Sequence, residues 1–99
     1  MRIITRSALR DFWAKHPEVE AHLKTWFQVA KNSIWESPDD IRPLYPNAKL
    51  SFLKNNRVVF GIKGNKYRLV VKVEYGKRMI FIRFVGTHAE YDRIDANTI

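Results

Sequence analysis

Two glycine-led pairs, Gly64-Asn65 and Gly76-Lys77, interrupt the run "RVVFGIKGNKYRLVVKVEYGKRMIFIRFVG" from Arg57 to Gly86. Between them apolar residues alternate with charged ones at a period of two, the spacing of strands with one buried face. The pattern predicts three strands, 57–63, 66–75 and 78–86. A glycine first in a two-residue link suits a type II′ hairpin turn. Taken literally, the first turn sets Ile62 opposite Tyr67, Phe60 opposite Leu69 and Val58 opposite Val71. The second sets Val73 opposite Ile80, Val71 opposite Ile82 and Leu69 opposite Phe84. Every pair is apolar on both sides, and a slip of one residue would invert a face. An antiparallel meander is the fold element this chain is most constrained to form.

The opposite face of that meander follows by alternation. It carries Arg57, Lys63, Arg68, Lys72, Met79, Phe81, Arg83 and Val85, with Gly61 and Val85 as the direct neighbours of Arg68. Residues 57–83 hold eight of the chain's eighteen Lys and Arg against one acid, Glu74, and so most of its formal charge of +8. A concentration of this kind suits a phosphate-rich partner. Phe81 among cations is the arrangement that stacks an unpaired base while cations hold phosphates, or else part of a small core under the C-terminal segment.

The N-terminal half reads as helical. Arg2–Ile4 is a short strand candidate. Thr5 or Ser7 can cap a helix to about Lys15, with Ala8, Leu9, Phe12 and Trp13 on one face. His16-Pro17 breaks it, and Pro17 suits the first turn of a second helix carrying Val19, Leu23, Trp26, Phe27 and Ala30. "SPDD" from Ser37 looks like the capped start of a brief third helix with Ile41 and Leu44. Trp13, Trp26 and Trp35 are core candidates. The expected fold is α+β: N-terminal helices packed on a small, mainly antiparallel sheet, with the basic face left open and a short C-terminal helix.

At 99 residues the chain is read as one domain, 1–99. It has no cysteine, which excludes disulfides and thiolate ligands. The start, MRIITRSALRDFWAK, lacks the apolar stretch of a signal peptide, and no run approaches the length of a membrane span, so a cytoplasmic protein with no membrane partner is expected. His16, His22 and His88 have no metal-ligand spacing, and there is no phosphate-binding glycine loop, so neither metal nor cofactor is expected.

The strand run ends in "FVGTHAEYDRID". Thr87 with Glu90 three residues on is a capping box, which gives Glu90 a structural role. His88 and Tyr91, three apart, share a side of the short helix so started. Metal-free RNA cleavage needs a base for the 2′-hydroxyl, a cation for the phosphorane and an acid for the leaving oxygen. Arg68, His88 and Tyr91 supply such groups, and histidine is the residue type that titrates near neutrality.

"GNKYRLVVKVEYGKRMIFIRFVGTHAEYD", together with the order of elements, resembles the HigB branch of the RelE-like bacterial toxins. The resemblance spans essentially the whole chain and is strongest from Phe60 to Asp92. It implies a ribosome-dependent mRNA endonuclease, or mRNA interferase, that works without metal through the RNA's own 2′-hydroxyl. It implies neutralisation by a helix-turn-helix antitoxin of the HigA type, through which the complex would bind operator DNA, and action on message in the ribosomal A site. By the same resemblance Arg68 holds the scissile phosphate, His88 is general acid or phosphate ligand, and Tyr91 stacks on or deprotonates the substrate. Lys63, Asn65, Lys66, Lys72, Phe81 and Arg83 are the RNA-binding candidates, and Asp92 and Asp95 are caps or ion-pair partners. The alternative is a non-catalytic nucleic-acid binder or a gyrase-inhibiting toxin of the same fold, for which replacing His88 would change little.

Overall fold

The computed structural model describes residues 1–99. Its elements run β1 (Arg2–Ile4), α1 (Ser7–Lys15), α2 (Glu20–Lys31), β2 (Leu50–Phe52), β3 (Arg57–Ile62), β4 (Tyr67–Glu74), β5 (Met79–Thr87) and α3 (His88–Tyr91), with single 3-10 turns at Pro17–Val19, Pro38–Asp40, Arg42–Leu44 and Tyr75–Lys77. The strands form one sheet in the order β1-β5-β4-β3-β2. The pair β1–β5 is parallel and the other three pairs are antiparallel. The α+β architecture expected from the sequence is the one observed.

The first hairpin has the register that its apolar pairs demanded, Ile62 opposite Tyr67, Phe60 opposite Leu69 and Val58 opposite Val71. Its turn is of a different kind. Gly64 and Asn65 both have positive φ, 61° and 70°, so the pair follows the I′ rather than the II′ pattern, and Lys63 before it is left-handed too, at 52°. The second hairpin also differs. Gly76 and Lys77 lie in a right-handed 3-10 turn, and the left-handed residue that closes it is Arg78, at φ 55°.

β5 carries a bulge. Val73 faces Ile80 and Val71 faces Ile82, but the next pair is Val70 with Phe84, so Arg83 is an extra residue. Everything after it shifts by one. Leu69 faces Val85 instead of Phe84, and Arg68 faces Gly86 instead of Val85. Phe84 thereby moves from the helix-covered face to the face of Arg68. Alternation could not show this, because "FV" at 84–85 offers an apolar residue to either face.

One face of the sheet meets the helices. Leu9 of α1, Leu23, Trp26, Phe27 and Ala30 of α2, and Trp35 and Ile41 of the connection are buried against Val58, Phe60, Leu69, Val71, Val73 and Ile80. Trp13 packs on this core from a half-buried position. No third helix forms at 37–44. Prolines 38, 43 and 46 restrict the backbone to two separate 3-10 turns, and Asp40, not Ser37, supplies the side-chain bond, accepting from the Glu36 N–H at 2.8 Å. Likewise neither Thr5 nor Ser7 caps α1; the N-cap position is Arg6, without a side-chain bond.

The other face is not open. The chain after α3 crosses it, burying Ala96 on Val59 and Val70, with Leu53, Phe84, Tyr91 and Ile99 around them. Arg57 donates from Nε to the main-chain oxygen of Ile99 at 3.0 Å, which ties down the end of that segment. No helix is long and apolar enough to cross a membrane.

Candidate active site

Arg68 stands on the central strand with a glycine on each side, Gly61 of β3 and Gly86 of β5. The two glycines leave room on its face that other groups then enter. A Cβ at Gly61 would lie 2.3 Å from Asn65 Oδ1, and one at Gly86 would lie 2.5 Å from the Phe84 ring and 3.1 Å from Glu90 Oε1. Arg68 therefore occupies a trough walled by Asn65 on one side and by Phe84 and Glu90 on the other. Tyr91 covers it, with the guanidinium carbon 5.2 Å from the ring centroid. The rings of Phe84 and Tyr91 lie 6.4 Å apart.

Two buried polar atoms of this trough have no partner. Arg68 Nε is buried and bonded to nothing, and so is Asn65 Oδ1. The strand cations on the same face are engaged: Lys72 binds Glu74 at 3.0 Å, and Arg57 binds Ile99. Arg68 Nε has no such partner. Buried donors are nearly always paired in native proteins, and of the four unpaired atoms here two, Trp26 Nε1 and Trp35 Nε1, belong to the main core and two to the trough.

His88 opens α3 directly after β5. Thr87 and Glu90 form the capping box expected of them: Glu90 N–H donates to Thr87 Oγ1 at 3.2 Å, and Thr87 N–H donates to Glu90 Oε1 at 2.8 Å. The second of these bonds holds the Glu90 carboxyl below its usual range. The backbone N–H of His88 donates to Lys66 O at 3.2 Å, which fastens the helix start to the β3–β4 turn. The His88 ring is exposed, and its Nδ1 lies 3.0 Å from Asp92 Oδ2. A carboxylate on Nδ1 fixes the tautomer that leaves Nε2 free for a substrate.

The structure thus brings Arg68, Tyr91 and Asn65 together and sets His88 at the rim. The other candidates scatter. Lys63, turned aside by its left-handed backbone, lies near Glu18 at the helix corner and lines the cleft over α2. Lys66 is exposed, with Nζ 5.8 Å from the centroid of the Tyr67 ring. Lys72 is neutralised by Glu74. Phe81 is half-buried with the Arg83 guanidinium 5.4 Å from its centroid, and Arg83 sits at the bulge. Of the two aromatics that β5 offers, Phe84 joins the small core and the trough, not Phe81.

Asp92, expected as a cap or ion-pair partner, is the ion-pair partner of His88, and Gly86 is the site residue that the sequence reading did not mark. His88 and Asp92 are four apart, one helical turn, the spacing at which such a pair meets. Gly86 was half-legible, because a glycine inside a strand marks a bulge or a close approach.

The family model for the HigB toxin, described as the RelE-like toxic component of a toxin-antitoxin system, matches residues 19–94. Among curated proteins, mRNA interferase HigB of Escherichia coli is 24% identical over 94 residues, covering 95% of this chain and 91% of that protein. Its namesake in Shigella flexneri is 28% identical over 92 residues, covering 93% and 88%. A β-sheet trough with an unpartnered arginine, a capped helix at its rim and a family match across most of the sequence converge: the chain belongs to the HigB family of RelE-like toxins.

Proposed function

We propose that this chain, acting as one toxin domain over residues 1–99, is an mRNA endonuclease whose site is the Arg68 trough. The 2′-oxygen of the message attacks the adjacent phosphorus while the bond from phosphorus to the 5′-oxygen breaks. The products are a 2′,3′-cyclic phosphate and a 5′-hydroxyl. Arg68 donates to the phosphorane oxygens, where charge develops in the transition state. Tyr91 holds the guanidinium from above. The His88 ring in its imidazolium form, its Nδ1–H held by Asp92, gives its Nε2 proton to the leaving 5′-oxygen and is left as the neutral Nδ1–H tautomer. The 2′-proton passes to water or to a group of the ribosome, since His88 is the one side chain of the site whose type changes charge near neutrality.

The observation that carries this reading is the arginine itself, half-buried, flanked by two glycines and bonded to nothing. Membership of a toxin-antitoxin family implies an antitoxin partner. The resemblance to HigB proteins supports a helix-turn-helix antitoxin of the HigA type, operator binding through that antitoxin, and cleavage of message in the ribosomal A site of the cytoplasm. One small site with few catalytic groups is suited to a substrate that the ribosome has already aligned.

The test is primer extension on a message translated in a purified system. New 5′ ends should appear with ribosomes and fade with Arg68→Ala and with His88→Ala. Undiminished cleavage in both variants would remove the trough from the mechanism. Unimpeded translation without cleavage would favour a non-catalytic binder.

A further inference from the structure

The two unpaired atoms of the trough are opposite in kind. Arg68 Nε is a buried donor without a partner, and Asn65 Oδ1 is a buried acceptor without one. A guanidinium only donates, and an amide oxygen only accepts. Both belong to one trough, because Gly61, the ladder partner of Arg68, is where the Asn65 amide enters: a Cβ on Gly61 would overlap Oδ1. Yet the two do not satisfy each other. Asn65 holds its place at φ 70°, a left-handed conformation that glycine takes most easily and asparagine tolerates. A side chain is thus kept at a position where glycine would serve the turn as well.

A ligand that completes the trough brings an acceptor to Arg68 and, a few bonds away, a donor to Asn65. Ionised phosphate oxygens only accept. In RNA the ribose carries, on the carbon beside its 3′-phosphate, a hydroxyl that donates; DNA has the same phosphate and no such donor. Position agrees with this chemistry. In-line transfer at phosphorus sets the entering and leaving oxygens on opposite sides. β3 and β5 flank β4 on opposite sides. His88, which serves the leaving oxygen, follows β5, and Asn65 packs on Gly61 of β3. The entering 2′-oxygen then falls on the side of Asn65.

We infer that Asn65 recognises the attacking 2′-hydroxyl: its Oδ1 accepts the hydrogen bond of the 2′-O–H while Arg68 donates to the phosphate. The inference rests on the endonuclease reading and adds to it the group that selects ribose over deoxyribose and holds the nucleophile. An amide oxygen is too weak a base to take the proton. Its hydrogen bond orients the hydroxyl so that a lone pair faces phosphorus. As the bond from oxygen to phosphorus forms, the proton leaves to water or to a group of the ribosome, and Asn65 is unchanged.

The experiment measures binding of the full chain to ribosomes programmed with a synthetic message whose cleaved bond has been mapped by primer extension. The nucleotide on the 5′ side of that bond carries either a 2′-amino group, which keeps a hydrogen-bond donor, or a 2′-fluorine, which has none. Neither supplies the attacking hydroxyl, so the message stays intact, and mildly alkaline buffer keeps the amine uncharged. The parent should bind the amino message about three- to tenfold more tightly than the fluoro message, the effect of one hydrogen bond. Asn65→Gly should bind the two alike, and it should melt no lower than the parent, because glycine suits the left-handed backbone. Gly61→Ala keeps the amide but displaces it, and it should lose the preference too. Comparing two messages on each protein cancels any general loss of stability or affinity, which is all that a turn residue would produce. A parent without the preference, or a preference that survives in Asn65→Gly or in Gly61→Ala, would overturn the role. The endonuclease reading is judged apart from it: if Arg68→Ala abolishes cleavage while Asn65→Gly keeps the preference, that reading stands and the role of Asn65 falls. Absence of any cleavage by the parent removes both.

Discussion

Arg68 Nε is buried without a partner, and an unsatisfied buried donor costs about 1–3 kcal/mol, more where it is charged. The same group is the best-placed cation for a phosphorane. The two roles predict opposite effects of one substitution. Arg68→Met keeps the length of the side chain and removes the orphaned donor, so the melting temperature should hold or rise. Cleavage of a translated message should fall by about 100-fold or more, the usual effect of deleting a donor to a developing oxyanion. A variant that loses both stability and activity in proportion would show that the arginine is structural. Asp92 works one step further from the chemistry. It touches no reacting atom, but its carboxylate lies 3.0 Å from His88 Nδ1. Asp92→Asn should lower the cleavage rate by about 10-fold, in line with other carboxylates that orient a histidine. It should also change the tautomer ratio of the His88 ring seen by nitrogen NMR, which a merely structural aspartate would leave untouched.

At the scale of elements, the corner between α1 and α2 is pinned to the sheet by one polar contact. The Tyr67 hydroxyl, on a ring buried in the main core, donates to the Glu18 carboxylate. That bond holds the Glu18 pKa below its ordinary 4.5 and pushes the Tyr67 pKa above its ordinary 10.0. The signs differ at the two ends of the pH scale. A depressed carboxyl contributes stability above its unfolded pKa and loses it as pH falls through the folded value; a raised phenol contributes below 10.0 and loses it as pH rises further. Glu18→Gln should therefore be less stable than the parent at neutral pH, and the gap should shrink as melts are taken to progressively lower pH below 4.5. A gap independent of pH would mean that the contact is packing alone. Neither residue advertised this pairing in the sequence, because 49 positions separate them. What the sequence could show was local: the alternation from Val58 to Ile82, the breaks at Pro17, the box at Thr87 and Glu90. The bulge at Arg83 was hidden, since a ladder with or without it pairs apolar residues. Yet that extra residue is what sets a glycine beside Arg68 and turns Phe84 into the trough. β2 was hidden as well, because three residues are too few to show a period.

For the molecule as a whole, the sheet is sandwiched unequally. Helices cover one face with a large core, and on the other a small cluster around Val59, Val70 and Ala96 carries Tyr91 and the last residues of the chain. The site lies on the smaller side. Its geometry depends on the stability of a cluster with three buried members, not on the 17 of the main core. Substitutions on the two sides should therefore separate folding from function. Val71→Ala opens a cavity in the main core, lowers the melting temperature, and should leave cleavage intact well below the melt. Ala96→Asp puts a carboxylate on apolar atoms with no partner, at a cost of about 2 kcal/mol. For a chain of this size that is about 10 °C in Tm. The cheaper response is local: the segment after α3 lifts away and takes Tyr91 off Arg68, while the helices and their core stay in place. Far-UV circular dichroism of Ala96→Asp should then remain native at temperatures where cleavage is already lost. Activity and ellipticity falling together in both variants would show that the two cores melt as one.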